Sequence, residues 1–256
     1  MSTTEGPDLA SSFDRVAAEY DAARPSYPDA LFDAVEELSG IALAGAEVLD
    51  VGAGTGISSR ALAARGASVT AVEPTPGMAD RLHAVSPEIR LVRGDGNALP
   101  FRDSCADLVS YAQSFHWTDH ARSVPEAIRV LRPGGALALW WNVKDREVRW
   151  VAEQSARLRA ACPAYHGYRP FDESPRELSR YGVRVATATL RWERRTPVET
   201  ALLDQTSRSY VAVLDSADRE RLLAAEREAL LAEFPDGVTV EPYVLELTVA
   251  LPEARP

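Results

Sequence analysis

Short apolar runs, each closed by glycine, proline or an acid, alternate through the first half of the chain with segments whose apolar positions recur at helical spacing. Residues 48–74 show the pattern most fully: VLDVGAGTGISSRALAARGASVTAVEP is an apolar run, a glycine-rich turn, a helical segment, a second apolar run and then Glu73. That order predicts one β-α-β unit with a ligand seat at its first turn. Two helical candidates precede it, residues 8–20 and 28–43, joined by DAARPSYP, whose Arg-Pro and Tyr-Pro steps force an extended link. After it come a helix over 76–85, a strand over 89–92, the irregular RGDGNALPF and a strand over 106–111 that runs into AQSFHW. A helix over 120–131 then ends at RPGG, and ALALWWN restarts a strand. Five strands alternating with helices predict a parallel, doubly wound sheet with right-handed crossovers.

Beyond Asn142 the pattern changes to an Arg- and Ala-rich helix over 146–161 and the long irregular CPAYHGYRPFDESP. A strand over 183–192 and helices over 197–213 and 216–234 follow, the second opened by a Ser-Ala-Asp cap signal. A last strand over 238–251 carries Pro242, which marks an edge or a bulge.

Candidate chemistry gathers around the first turn. Gly52, Gly54 and Gly56 permit positive φ and close approach of backbone to a ligand, and the carboxylate of Glu73 can accept both hydroxyls of a ribose. Asp95 leads a polar loop where open α/β sheets bind ligands, or else it forms that loop's turn or a helix cap. Arg24 can grip a carboxylate in two-point fashion, or it is a surface arginine stacked on Tyr20 or Tyr27. The charge of -10 and pI near 5.0 disfavour a nucleic-acid partner. Cys105 and Cys162 sit in no Cys/His cluster, so neither a metal site nor a disulfide framework is indicated, and a reducing cytoplasm fits. The absence of a signal-like start and of an apolar run of about 18 residues predicts a soluble protein with no membrane partner.

The motifs together resemble the class I S-adenosylmethionine-dependent methyltransferases, in particular the small-molecule branch (methyltransferase type 11-like). LDVGAGTG (residues 49–56) is similar to the family's first motif, Glu73 to its ribose-binding acid, Asp95 to the residue near the adenine amine, and LRPGG (131–135) to its post-helix signature. FDRVAAEYDAARPSYP and AQSFHW resemble markers of the branch, and the likeness is dense over residues 13–142. It implies an α/β fold, a doubly wound Rossmann-like seven-stranded, mostly parallel sheet with N-terminal lid helices and a C-terminal antiparallel strand. A single domain would then comprise a lid (1–45), a cofactor-binding core (46–142) and a substrate side (143–256).

The implied cofactor is S-adenosylmethionine. Asp50, Gly52, Gly54, Thr55 and Gly56 would hold its amino-acid end, with Tyr20 and Arg24 reaching from the lid. Glu73 would take the ribose, Met78 an adenine face, and Asp95, Gly96 and Asn97 the adenine edge, while Gln113 stands where a backbone carbonyl meets the ammonium. His116 is either a general base or a structural histidine beside Trp117. His166 lies among Tyr165, Tyr168 and Phe171, aromatics that either wall an acceptor or form a small core. The implied reaction is methyl transfer to a small-molecule acceptor, at a hydroxyl or carboxylate oxygen before nitrogen or carbon, in secondary metabolism, by a monomer or homodimer. Two alternatives stand beside it, a nicotinamide-dependent oxidoreductase and a non-catalytic S-adenosylmethionine-binding protein. The dinucleotide fingerprint G-x-G-x-x-G is broken, because its sixth position is Ile57.

Overall fold

The computed structural model describes residues 23–165 and 173–253. Tyr20, the expected helix over 8–20, His166, Tyr168 and Phe171 lie outside them. Helix α1 (Asp29–Ser39) buries Leu31, Phe32 and Val35 and closes on Gly40, whose φ of 72° returns its N–H to Glu36 O. That glycine ends at Ser39 a helix expected to reach residue 43.

Strand β1 (Glu47–Val51) leads through α2 (Ile57–Ala64) to β2 (Ser68–Val72), then through α3 (Pro76–Val85) to β3 (Arg90–Val92). β1 and β2 pair in parallel, Val48 opposite Val69 and Asp50 opposite Ala71, and β3 adds outside β2. The chain then crosses back, and β4 (Ala106–Ala112) pairs in parallel with the free side of β1, followed by α4 (His120–Val130) and β5 (Leu131–Lys144). With β6 (Val183–Pro197) and β7 (Val238–Pro252) the order is β3-β2-β1-β4-β5-β7-β6, mostly parallel with an antiparallel pair at the C-terminal end. Strand order reverses between β1 and β4, and such a switch point leaves a crevice at the carboxyl ends of the two strands.

Three local expectations change. RPGG does not separate α4 from the strand but lies within β5: Ala106 faces Leu131 while Leu108 faces Ala136, so residues 132–135 bulge out of the ladder, Gly134 with φ 83°. β7 lies between β5 and β6 and is therefore no edge strand, and Pro242, which has no N–H to offer, uses its carbonyl to accept from Asp145 N–H. The helix expected over 197–213 is two, α7 (Val198–Thr206) and α8 (Ser209–Ala212), divided where Ser207 Oγ caps Asp204 O at 2.6 Å. Helices α5 (Arg149–Ala161), α6 (Glu173–Ser179) and α9 (Ser216–Glu233) complete the described elements. The cap of α9 is Asp215, accepting from Asp218 N–H at 2.8 Å, one residue ahead of the expected Ser-Ala-Asp signal.

The described chain divides into two compact units. The first holds residues 26–142, 173–191 and 244–253; the second holds 23–25, 143–165 and 192–243. In the first, Trp140 is fully buried and meets the edges of Tyr27 and Phe32 at 6.0 and 6.3 Å, and Ala53, Ala71, Leu82 and Ile89 form a cluster beneath the glycine turn. The second has its own cores, one around Trp150, Leu202 and Leu230 and one around Leu158, Val211 and Leu222.

Candidate functional site

The glycine turn folds over the end of β2, with Gly52 N–H and Ala53 N–H both donating to Val72 O at 2.8 and 3.2 Å. Its three glycines have different physical reasons. A Cβ on Gly52 would stand 2.5 Å from Ser114 Cβ, and one on Gly56 would stand 2.9 Å from Leu82 Cγ, so those two positions are filled by the protein itself. Gly54, with φ 58°, has nothing within 4 Å of its absent Cβ: that face of the turn is open to a ligand. Beside it, Thr55 Oγ1 is buried with no hydrogen-bond partner among the described residues. Arg60 ties the turn to the end of α3, donating through Nη1 to Thr55 O at 2.8 Å and Ser86 Oγ at 3.2 Å.

Glu73, at the end of β2 and 4% exposed, accepts from Gly54 N–H through Oε2 at 2.8 Å and from Thr75 N–H through Oε1 at 2.9 Å. These bonds fix the carboxylate between the turn and the start of α3, where Met78 is buried. A carboxylate offers about four lone-pair sites, so two remain after the backbone is served. Asp50 lies fully buried beneath the turn, accepting from Ser59 Oγ at 2.6 Å and Ser110 Oγ at 2.8 Å. Burial raises its pKa, against the pull of those hydroxyls. It therefore acts by bracing β1, α2 and β4.

Across the switch point, β4 ends in a strained residue. Gln113 holds φ at 58°, one of two non-glycine residues with positive φ among those described. It is held there by its N–H donating to Trp140 O at 2.9 Å and by Nε2 donating to Tyr27 Oη at 3.4 Å. Ser114 donates to Val51 O at 2.6 Å and so stitches β4 to β1 directly behind Gly52. His116 is exposed and tilted against Trp117; partial desolvation and the neighbouring His120 lower its pKa. In the loop after β3, Asp95 accepts from Asn97 N–H at 2.9 Å, so it does form the turn, yet its side chain stays exposed. Asn97 in turn accepts from Asp119 N–H at 2.7 Å, and Gly96 packs so that a Cβ would meet Val51 and Thr118 at 3.1 Å.

A methyltransferase-domain family model matches residues 49–139, the stretch that carries all of this geometry except Tyr27 and Trp140. The malonyl-[acyl-carrier protein] O-methyltransferase of Serratia marcescens is 34% identical over 174 residues, 61% of this chain and 67% of that one. The chain belongs to the class I S-adenosylmethionine-dependent methyltransferases. An uncharacterized methyltransferase of Mycobacterium tuberculosis is 42% identical over 146 residues, 57% of this chain, and the match spans 58% of that relative's length. Among solved structures, a candidate type II methyltransferase from Anaeromyxobacter dehalogenans aligns with TM-score 0.67 and 26% identity over 90% of this chain and 97% of that one. The [4+2]-cyclase SpnF, at 18% identity and TM-score 0.58, covers 99% of this chain and 100% of its own, and shares the fold alone.

Within this chain, Asp50, Gly52, Gly54, Thr55, Gly56, Glu73, Met78, Asp95, Gly96, Asn97, Gln113 and His116 all fall in the first unit. Arg24 falls in the second, where its Nε lies 3.3 Å from Asp204 Oδ1. Burial pulls the Asp204 carboxyl upward, but Arg208, Arg24 and Lys144 outweigh it and hold the pKa low. Sequence reasoning missed the polar network around this pair. Glu241, fully buried, forms an ion pair with Lys144 Nζ at 2.8 Å and accepts from Tyr243 Oη at 3.1 Å, and Glu226, also fully buried, pairs with Arg157 at 2.6 Å. It also missed Ser114 and Tyr27, whose roles depend on partners distant in sequence. No helix among the described residues is long and apolar enough to cross a membrane.

Proposed function

We propose that the protein transfers a methyl group from S-adenosylmethionine to an oxygen of a small-molecule acceptor. The single observation that carries this reading is the open face at Gly54 with the anchored Glu73 carboxylate beside it. The cofactor supplies a methyl carbon activated by positive sulfur. Gly54 admits its amino-acid end, the two remaining lone-pair sites of Glu73 suit two ribose hydroxyls, and Met78 and the exposed Asp95 suit the adenine's face and amine. Gln113 adds a carbonyl held in place by strain. The rest of the acceleration comes from positioning and exclusion of water, since an in-line displacement asks for little acid-base chemistry.

The Serratia relative's name, an O-methyltransferase, supports oxygen as the acceptor atom. A carboxylate acceptor arrives ionised, whereas a hydroxyl must lose a proton, and His116, with a pKa below the ordinary 6.5, is neutral at pH 7 and able to accept it. Calorimetric titration with S-adenosylmethionine and S-adenosylhomocysteine tests the reading, and failure of both to bind at millimolar concentration ends it. With a hydroxyl acceptor in hand, His116→Ala should leave cofactor affinity near wild type and lower turnover by roughly a hundredfold. The wild-type kcat/KM should fall toward acid with a midpoint below 6.5. An unchanged rate in the variant makes His116 a loop-fixing residue. That the fold also serves a cyclase keeps one rival in play: binding with no methylated product from any acceptor would mean the cofactor is held for another purpose.

A further inference from the structure

In the second unit, α5, α8 and the first half of α9 line an open cleft of about 810 Å³, a size that suits a small molecule. Its apolar lining includes Val213, Leu214, Leu222 and Ala161. Leu222 is backed by Leu158 and Val211, and Val213 is 37% exposed, apolar surface held open to solvent.

The polar groups around this cleft are unevenly committed. Its carboxylates are already matched: Glu226 is fully buried and takes Arg157 Nε at 2.6 Å and Gln154 Nε2 at 2.9 Å. Asp215 caps α9, and Asp218 pairs with Arg221. Its donors are not. Arg157 uses Nε and Nη2 on Glu226, and both N–H groups of Nη1 meet no acceptor among the described residues. Tyr210, edge-on to Tyr165 at 4.8 Å, makes no hydrogen bond through its hydroxyl to any described residue, and burial pushes its pKa up to about 12, so the hydroxyl keeps its proton. Donors over an alkyl floor, with every local acid satisfied, complement a ligand that is apolar at one end and an acceptor at the other.

We propose that this cleft binds a small organic carboxylate with an apolar chain, its head on Arg157 and Tyr210 and its chain against Leu222, Val213 and Leu214. The site is made within the second unit and does not depend on the methyl-transfer reading.

The test is calorimetric titration of the full chain, without cofactor, with octanoate, octylamine, octan-1-ol and acetate. Octanoate should bind, and at least roughly tenfold more tightly than each of the other three, because octylamine reverses the charge, octanol removes it and acetate removes the chain. Ala225→Trp, on an exposed wall position, should fill the cleft and weaken octanoate at least roughly thirtyfold, and Tyr210→Phe should weaken it roughly threefold to tenfold while thermal melting stays near wild type. Arg157 is left unaltered, because its removal would strand the buried Glu226. No binding of octanoate at millimolar concentration, equal binding of octylamine, or full affinity in Ala225→Trp would each overturn the proposal.

Discussion

Gly52 and Gly54 sit two residues apart in the same left-handed backbone, yet a methyl group added to each meets different things. Gly52→Ala drives Cβ into Ser114, the residue that stitches β4 to β1, so it combines left-handed strain of about 1–2 kcal/mol with overpacking of about 1–3 kcal/mol. Gly54→Ala carries the strain alone, because nothing lies within 4 Å. Urea denaturation should therefore show the larger loss for Gly52→Ala, whereas S-adenosylhomocysteine affinity should drop at least roughly tenfold in Gly54→Ala. Wild-type affinity in Gly54→Ala would mean that no ligand lies against this face. Asp50 gives a pH signature at the same scale. Its folded pKa is raised above the unfolded value of 3.8, so its contribution to stability is fully present below that value and is lost as pH rises through the folded pKa. Asp50→Asn cannot ionise, and the hydroxyls of Ser59 and Ser110 can turn to suit an amide. From pH 4 to 7 its stability relative to wild type should rise, read from urea midpoints; a constant difference would uncouple Asp50 from the folding equilibrium.

The end of β4 behaves as one element made of strain and stitches. Replacing Gln113 by Gly relieves a left-handed residue, a gain of about 1 kcal/mol, but removes the amide that reaches Tyr27. The variant should unfold at higher urea and turn over more slowly, with Tyr27→Phe slowing turnover without the gain; a Gln113→Gly enzyme as fast as wild type would leave the strain without a catalytic purpose. How far such elements can be read from sequence follows from how local their causes are. The run from Val48 to Glu73 was legible because apolar alternation, glycine backbone freedom and a terminal acid are local properties. The break between α7 and α8 was not, because it rests on one hydroxyl at Ser207 turning back to Asp204 O. The early start of β5 was hidden too, since a bulge exists only relative to its partner strand. Gln154, Asp204 and Glu226 stand in expected helices and Glu241 in an expected strand, and nothing local to them marks them as buried. Only packing against Arg157, Lys144 and Arg208 makes them buried.

At the scale of the whole chain, the expected division into lid, core and substrate side follows sequence order, while the compact units do not: Val143 and Trp192 begin stretches of one unit, Glu173 and Val244 described stretches of the other. The residues proposed for the cofactor are, with the exception of Arg24 and of Tyr20 outside the described part, in the first unit, and the carboxylate cleft is in the second. A ligand that binds only folded protein stabilises it by about 2.7 kcal/mol at a hundred times its Kd, and amides beneath it exchange more slowly. Hydrogen exchange with S-adenosylhomocysteine should therefore slow residues 50–56, 73–78, 95–97 and 113, and octanoate should slow 157–164 and 210–226. The two footprints separate the two proposals, since either can vanish while the other stays. Protection spreading under S-adenosylhomocysteine alone to residues 23–25 and 204–208 would bring Arg24 into the cofactor site, and would imply that Asp204 yields its arginine when a ligand carboxylate competes for it. Exchange there that ignores S-adenosylhomocysteine makes Arg24 a structural partner of Asp204, whose buried charge it is already placed to balance.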